Sequence, residues 1–255
     1  MSIVYVVRTH GGLGNQIFQI FYAILLRNRV RRARLVVIHD SNYKHKFELD
    51  EKLKMAYSSE LGLVPISISK LRLPKIISRL FRREIIFLKL LNYRFLDGYF
   101  QDVKNYSNFD DTEISAAINE LIKHLVPKVK KTDKTAVLYH FRLLDFFKSE
   151  SEELEYIKTQ FSGLPSNSSI VTNNDKLFSR PEIKKHLNQK NIKHIESDDL
   201  SAIEVLSLMM KYGIINSNNS TLAFWAAIFN RCDLNVGDEG LKCLYTMLSQ
   251  NDSSM

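Results

Sequence analysis

Cysteine is scarce in this chain. Cys232 and Cys243 are the only two in 255 residues, too few for a disulfide framework or for a four-ligand zinc site by themselves. A reducing compartment is the expectation. Five prolines and nine glycines exclude a collagen-like or low-complexity chain. No uninterrupted apolar stretch reaches the about 18 residues of a membrane-spanning helix. The opening Ile3-Val4-Tyr5-Val6-Val7-Arg8 is too short, and lacks the preceding basic region, for a secretory signal; it reads as a strand. His, Asp and Glu form no convincing metal-bridging set, since Asp110-Asp111 and Asp198-Asp199 read as solvated turns.

What is present is ordinary in amount and uneven in placement. Hydrophobic residues make up 45% and charged residues 25%, as in a globular protein with a buried core. The net charge is +8. Residues 66–95 hold eight Lys/Arg against Glu84 alone, and residues 1–34 hold six Arg and no acid. Basicity confined to these stretches points to a surface or a site. A nucleic-acid partner lacks support, because no recognised binding motif accompanies the basic patch.

Apolar periodicity predicts a strand over 3–7, a helix over 16–29 and a second strand over 35–38. Further helices are expected over 75–91, with Pro74 at the first turn, and over 112–125. Around residue 130 the polar, basic stretch 127–134 reads as a linker. Beyond it, strands near 135–141, 169–172, 192–195 and 213–216 alternate with helices near 152–161, 202–212 and 222–230 and with a segment near 175–187. That alternation predicts a parallel sheet with ligands at the carboxyl ends of its strands. The fold class expected is α/β, with lobes at 1–130 and 131–255.

Three segments have the makings of a site. His10-Gly11-Gly12-Leu13-Gly14-Asn15-Gln16 joins a strand to a helix. Its glycines permit close backbone approach, and a helix N-terminus favours polar or anionic groups. It is neither a P-loop nor a full dinucleotide fingerprint, and a plain tight turn explains the spacing equally well. His140-Phe141-Arg142-Leu143-Leu144-Asp145 follows an apolar strand and sets a guanidinium at a sheet's carboxyl edge. There it can grip phosphate oxygens in a bidentate fork or form a strand-end pair with Asp145. Asn216-Ser217-Asn218-Asn219-Ser220-Thr221 lies between an apolar strand and an apolar helix. Ser220 and Thr221 there suit phosphate or sugar binding, or simple helix capping.

In this order the segments resemble the α-1,2-fucosyltransferases of glycosyltransferase family 11. The opening Gly11-Gly12-Leu13-Gly14-Asn15-Gln16-Ile17-Phe18-Gln19, the run Gly98-Tyr99-Phe100-Gln101, the His140–Asp145 segment and Asn219–Ala227 each resemble a block of that family. Val171-Thr172-Asn173-Asn174-Asp175 stands where the family has a strand end ending in acids. Leu143 stands where the family has the second arginine of a pair. The resemblance implies a GT-B-like fold of two Rossmann-like lobes flanking a nucleotide-sugar cleft. It implies inverting transfer of L-fucose from GDP-fucose to a galactoside hydroxyl of a surface polysaccharide or O-antigen precursor, with no metal or other cofactor.

Under that resemblance, the donor-side residues are Gly12, Gly14, Asn15, His140, Arg142, Asn173, Asp175, Ser220 and Thr221. Arg142 would meet the charge building on the leaving diphosphate. The base that takes the acceptor's proton must be a carboxylate or a histidine, and Asp145, Glu150 and His10 all remain open. Guanine recognition falls to Asn173, Asn174 and Asp175. Pro74–Leu91 reads either as a solvated basic helix or as a basic amphipathic one suited to an anionic membrane. A lipid-linked acceptor at the cytoplasmic face would favour the second. A nucleotide-binding relative without activity is the alternative that Leu143 suggests.

Overall fold

The computed structural model describes residues 3–30, 33–39, 63–67, 93–125, 135–144 and 146–250. The chain divides into two compact units. One comprises Met1–Pro127 together with Thr246–Met255, the other Lys128–Tyr245. The final segment from Thr246 thus groups with the first unit rather than with the lobe that precedes it in sequence.

The first unit holds β1 (Val4–Thr9), α1 (Leu13–Asn28), β2 (Arg34–His39), β3 (Leu63–Ser67), β4 (Tyr93–Leu96) and α2 (Asp111–Leu125). Its strands lie in the order β3-β2-β1-β4, and every pairing is parallel. Pro65 stands in β3, an edge strand in this order, the kind of strand to which proline is largely confined. Helix α1 is apolar around most of its circumference. Ile17, Phe18, Ile20, Phe21, Ile24 and Leu25 are all fully covered, so this helix belongs to the core rather than to a solvated layer. Tyr22 stacks on Phe100 at 4.4 Å between ring centroids, and the buried Tyr106 hydroxyl donates to the Phe100 carbonyl at 2.5 Å.

The second unit holds β5 (Val137–Phe141), α3 (Glu150–Gly163), β6 (Ser169–Thr172), α4 (Asp175–Phe178), α5 (Pro181–Gln189), β7 (Lys193–Ile195), α6 (Ala202–Met209), β8 (Ile214–Ser217), α7 (Thr221–Asn230), β9 (Asp233–Val236) and α8 (Glu239–Gln250), the last running on into the first unit's closing segment. The order is β7-β6-β5-β8-β9, again wholly parallel. Strand alternation puts Phe141 and Ile170 on the face covered by Ile157, Phe161, Phe178 and Ile183. The 175–187 region, expected as one segment, is two helices. Pro181 takes the first position of the second one, where its missing N–H is an orphan in any case.

Both units are therefore α/β with parallel sheets, the two Rossmann-like lobes that the sequence predicts. Each chain path leaves a central strand in one direction and later returns to its other side. The reversal falls between β1 and β4 in the first sheet and between β5 and β8 in the second. Ligands of open parallel sheets bind outside the carboxyl ends of the strands at such a reversal. The basic 75–91 stretch lies outside the described residues.

Candidate functional site

In the second unit, the first residue after β5 is Arg142 and the first after β8 is Asn218. These strands are neighbours in register, His140 opposite Ser217, so both residues stand at the reversal point. Asn218 is bonded at both ends of its amide. Its Oδ1 accepts the Arg142 backbone N–H at 3.1 Å, and its Nδ2 donates to the Arg142 carbonyl at 2.8 Å. Its own carbonyl accepts the Gly237 N–H at 2.9 Å. One residue thus ties together the carboxyl ends of three strands, its side chain reaching β5 and its backbone carbonyl β9. The chain beyond Arg142 is held as well, since Asn173 Oδ1 accepts the Leu143 N–H at 2.7 Å.

Backbone fixation aims the Arg142 side chain. Its guanidinium carbon lies 5.1 Å from the centroid of the exposed Phe146 ring, within cation–π reach. Leu143 is fully buried in the apolar cluster of this unit. The position at which the family resemblance expects a second arginine therefore points inward and adds no charge to the crevice. Asp145 lies outside the described residues.

Ser220 is the N-cap of α7. Its side chain accepts the Ala223 N–H at 3.2 Å, and the residue is buried. Of the two readings of Ser220, capping is what the structure displays. Thr221 is the first residue of α7. The positive end of this helix dipole comes at the same sheet edge as Arg142. His140 faces the opposite way from Phe141, is buried, and has Ser217 Oγ at 3.4 Å from its Nδ1. Burial, seconded by the Arg142 charge, drives its pKa from 6.5 to about 3. It is a neutral imidazole at physiological pH and supplies hydrogen bonds but no charge.

A cavity of about 630 Å³ opens along β5, β8 and β9. Tyr139, Asn216 and Asn235 are consecutive partners in register and so share one face of the sheet. Asn235 Nδ2 donates to Asn216 Oδ1 at 2.9 Å. Tyr156, Gln160 and Lys242 also line the cavity, which reaches Asn218 and Gly237 at the strand ends.

The other expected donor-side residues serve different partners. Asp175 is buried and accepts from His194 Nε2 at 2.8 Å and from the backbone N–H groups of Ser197 and Asp198 at 2.5 and 2.8 Å. Those bonds fix the loop after β7. Asn174 Nδ2 donates to Glu153 at 2.6 Å. Glu150 is exposed at the start of α3 and pairs with Arg180.

The first unit has its own cluster at the β1/β4 reversal. Gly11 adopts φ +77°, and a Cβ there would come 2.7 Å from Asn15 Nδ2; only glycine avoids both the strain and the collision. Gly12 is the N-cap of α1, without a side-chain cap, and Gly14 lies in the first turn. Asn15 Oδ1 accepts from Gln101 Nε2 at 2.8 Å, joining the glycine loop to the Gly98–Gln101 run. Gln16 Nε2 donates to the Gly11 carbonyl at 2.8 Å.

His10 follows β1 directly. Its Nδ1 lies 3.0 Å from Gln19 Nε2 and 4.0 Å from Asp97 Oδ1, and its ring is 4.7 Å from that of Tyr99. Asp97 also takes an ion pair from Arg8 at 3.2 Å. Gln19 and Asn218 fall inside segments quoted from the sequence but had no role assigned there, and Asp97 was not singled out. Asp97 precedes Gly98-Tyr99-Phe100-Gln101 directly, and that adjacency was the one available signal. Among the described residues no group of three or more His, Cys, Asp or Glu could hold a metal ion. No described helix is long and apolar enough to cross a membrane.

No protein-family profile matches the chain, and no curated protein matches it. Solved structures similar to it include a glycosyl transferase family 9 protein from Veillonella parvula, at 11% identity and TM-score 0.45, covering 92% of this chain and 81% of that one. POFUT1 in complex with GDP is similar at 14% identity and TM-score 0.41, covering 92% and 98%. The heptosyltransferase WaaC of E. coli with ADP is similar at 7% identity and TM-score 0.38, covering 98% of each chain. At these values the fold assignment rests on the chain's own strand order.

Proposed function

We propose that this protein is an inverting fucosyltransferase that moves L-fucose from GDP-fucose to a galactoside hydroxyl in α-1,2 linkage. The observation that carries the reading is the β5/β8 crest. A guanidinium and a helix N-terminus meet at a topological reversal, and the Arg142 backbone is clamped from both sides by one asparagine. This arrangement suits a leaving nucleoside diphosphate. As the glycosidic C1–O bond breaks, negative charge grows on the β-phosphate. A preoriented cation and backbone N–H groups stabilise that charge without a metal. The motif resemblance supplies guanosine and fucose as the particular donor.

The asparagine-rich cavity beside the crest would seat the nucleoside. Its amides would discriminate bases once a bound nucleoside covers them, because a wrong base leaves them unpaired. The acceptor sugar is assigned to the first unit, with His10, Asp97 and Tyr99 as its contacts. A lipid-linked surface-glycan precursor is the acceptor class, and the basic 75–91 stretch would bind the anionic lipid surface that carries it.

Turnover of GDP-fucose against a panel of galactosides, reading GDP release and product mass together, tests the assignment. A fucosylated galactoside supports it, and GDP release without product does not. The buried Leu143 favours one second reading, a nucleotide-binding relative that lacks the second positive charge. Tight GDP binding with no turnover on any acceptor would select it.

A further inference from the structure

We infer that Gln19 fixes the tautomer of His10, making this histidine a hydrogen-bond donor at Nε2 and removing it from the candidate bases. The assignment comes from heavy atoms alone. The Gln19 side chain meets His10 twice. Its Oε1 is 3.0 Å from the His10 backbone nitrogen, and its Nε2 is 3.0 Å from His10 Nδ1. A backbone N–H can only donate, so the amide atom facing it must be the oxygen. The other amide atom is then the NH₂ group, which can only donate, so Nδ1 must present its lone pair. The single proton of the neutral ring therefore sits on Nε2. A flipped amide could still accept from a ring protonated at Nδ1, but it would set NH₂ against the backbone N–H and lose that bond inside a core where Gln19 is completely covered and His10 nearly so.

One contact argues the other way. Asp97 Oδ1 lies 4.0 Å from the same Nδ1 and would favour a proton there. At 4.0 Å no hydrogen bond forms, and Arg8 already holds the Asp97 carboxylate at 3.2 Å. The 3.0 Å amide contact decides the tautomer. Whatever group Nε2 faces, it faces an N–H. A sugar hydroxyl approaching the ring would accept from it and could not give its proton to it. The base that completes the transfer is then a carboxylate. The choice of a sugar hydroxyl as partner, and of a carboxylate as base, rests on the proposed reaction.

Long-range ¹H–¹⁵N spectra of the uniformly ¹⁵N-labelled full chain test the tautomer without any substrate, with the His10 signals assigned by their loss in His10→Gln. The expected wild-type pattern at pH 7.5 is a neutral ring protonated at Nε2. In Gln19→Glu the carboxylate accepts from both the backbone N–H and Nδ1, so the proton should move to Nδ1 or the ring should become doubly protonated. A wild-type ring protonated at Nδ1 would overturn the inference even if Gln19→Glu does not fold. So would an unchanged Nε2–H pattern in a folded Gln19→Glu protein. Kinetics add a separate readout. Loss of a general base costs about 10²–10⁴-fold, whereas His10→Gln keeps an N–H donor and should lose less than about 100-fold. Wild type without turnover would sink the fucosyltransferase reading and leave the spectral result standing.

Discussion

The two units solve one geometric problem with opposite chemistry. In each, a central strand ends at a chain reversal, and the next residue carries the chemistry: His10 after β1 and Arg142 after β5. In each, an amide side chain makes two bonds to that residue. Gln19 takes the His10 N–H and gives to the His10 ring, while Asn218 takes the Arg142 N–H and gives to the Arg142 carbonyl. The consequences differ. Gln19 fixes a ring and its proton. Asn218 bonds only the backbone of Arg142, and the guanidinium beyond it lies within cation–π reach of Phe146. The first crest assembles a carboxylate, an imidazole and a phenol, groups that recognise hydroxyls. The second assembles a cation and a helix N-terminus, groups that recognise anions.

Removing the cation should have the largest effect. Arg142→Ala should lower GDP-fucose turnover by roughly 100-fold or more, with circular dichroism and thermal melting unchanged because the side chain is only half-buried. Near-normal turnover in a folded variant would dissolve the distinction between the two crests. Asn218→Ala is the next test. It leaves a backbone N–H and a carbonyl of Arg142 without their partner, at about 1–3 kcal/mol. Thermal melting should register that loss, and turnover should fall less than in Arg142→Ala. An unshifted melting temperature would mean that the clamp contributes nothing.

The glycine loop offers a matched pair. Gly11→Ala forces a Cβ onto a backbone at φ +77° and against Asn15, and should destabilise by about 1–2 kcal/mol. Gly12→Ala meets nothing within 4 Å and should be nearly neutral. Equal effects on melting would contradict the loop geometry. A separate effect concerns acid. The unfolded His140 ring protonates near 6.5 and the folded one only near 3, so the unfolded state binds the extra proton between those values. Stability should therefore fall as pH drops through that window, by at most about 1.4 kcal/mol per pH unit from this group. His140→Gln should flatten the melting temperature's decline between pH 6.5 and 4; an unchanged slope would mean that another group carries it.

Much of this arrangement was legible in the sequence. The strand–helix alternation after residue 135 predicted a parallel sheet, and β5, β6 and β8 fall within a residue or two of their expected bounds. β9 and α8 were not expected, because Asp233–Val236 alternates too briefly to stand out from a turn. The short β4 was missed for the same reason; its partner β1 is far away in sequence, and periodicity reports only local order. Arg142 was readable because a charge after an apolar strand is conspicuous. The roles of Asn218 and Gln19 were not, because an amide's role depends on which two polar atoms the fold brings to it. Asp175 was misleading for a physical reason. A carboxylate at a strand end suits a ligand and suits three neighbouring donors equally well, and here it accepts from His194, Ser197 and Asp198.

The central claim is that the second crest binds a guanosine diphosphate through Arg142. Calorimetric titration of the full chain with GDP, UDP and ADP, repeated on Arg142→Ala, tests it most directly. The account predicts saturable binding that is tightest for GDP and at least tenfold weaker in the variant, the loss of one charge-assisted contact of about 1.5–3 kcal/mol. Equal affinity for UDP and GDP, or full-strength GDP binding without the Arg142 side chain, would contradict it.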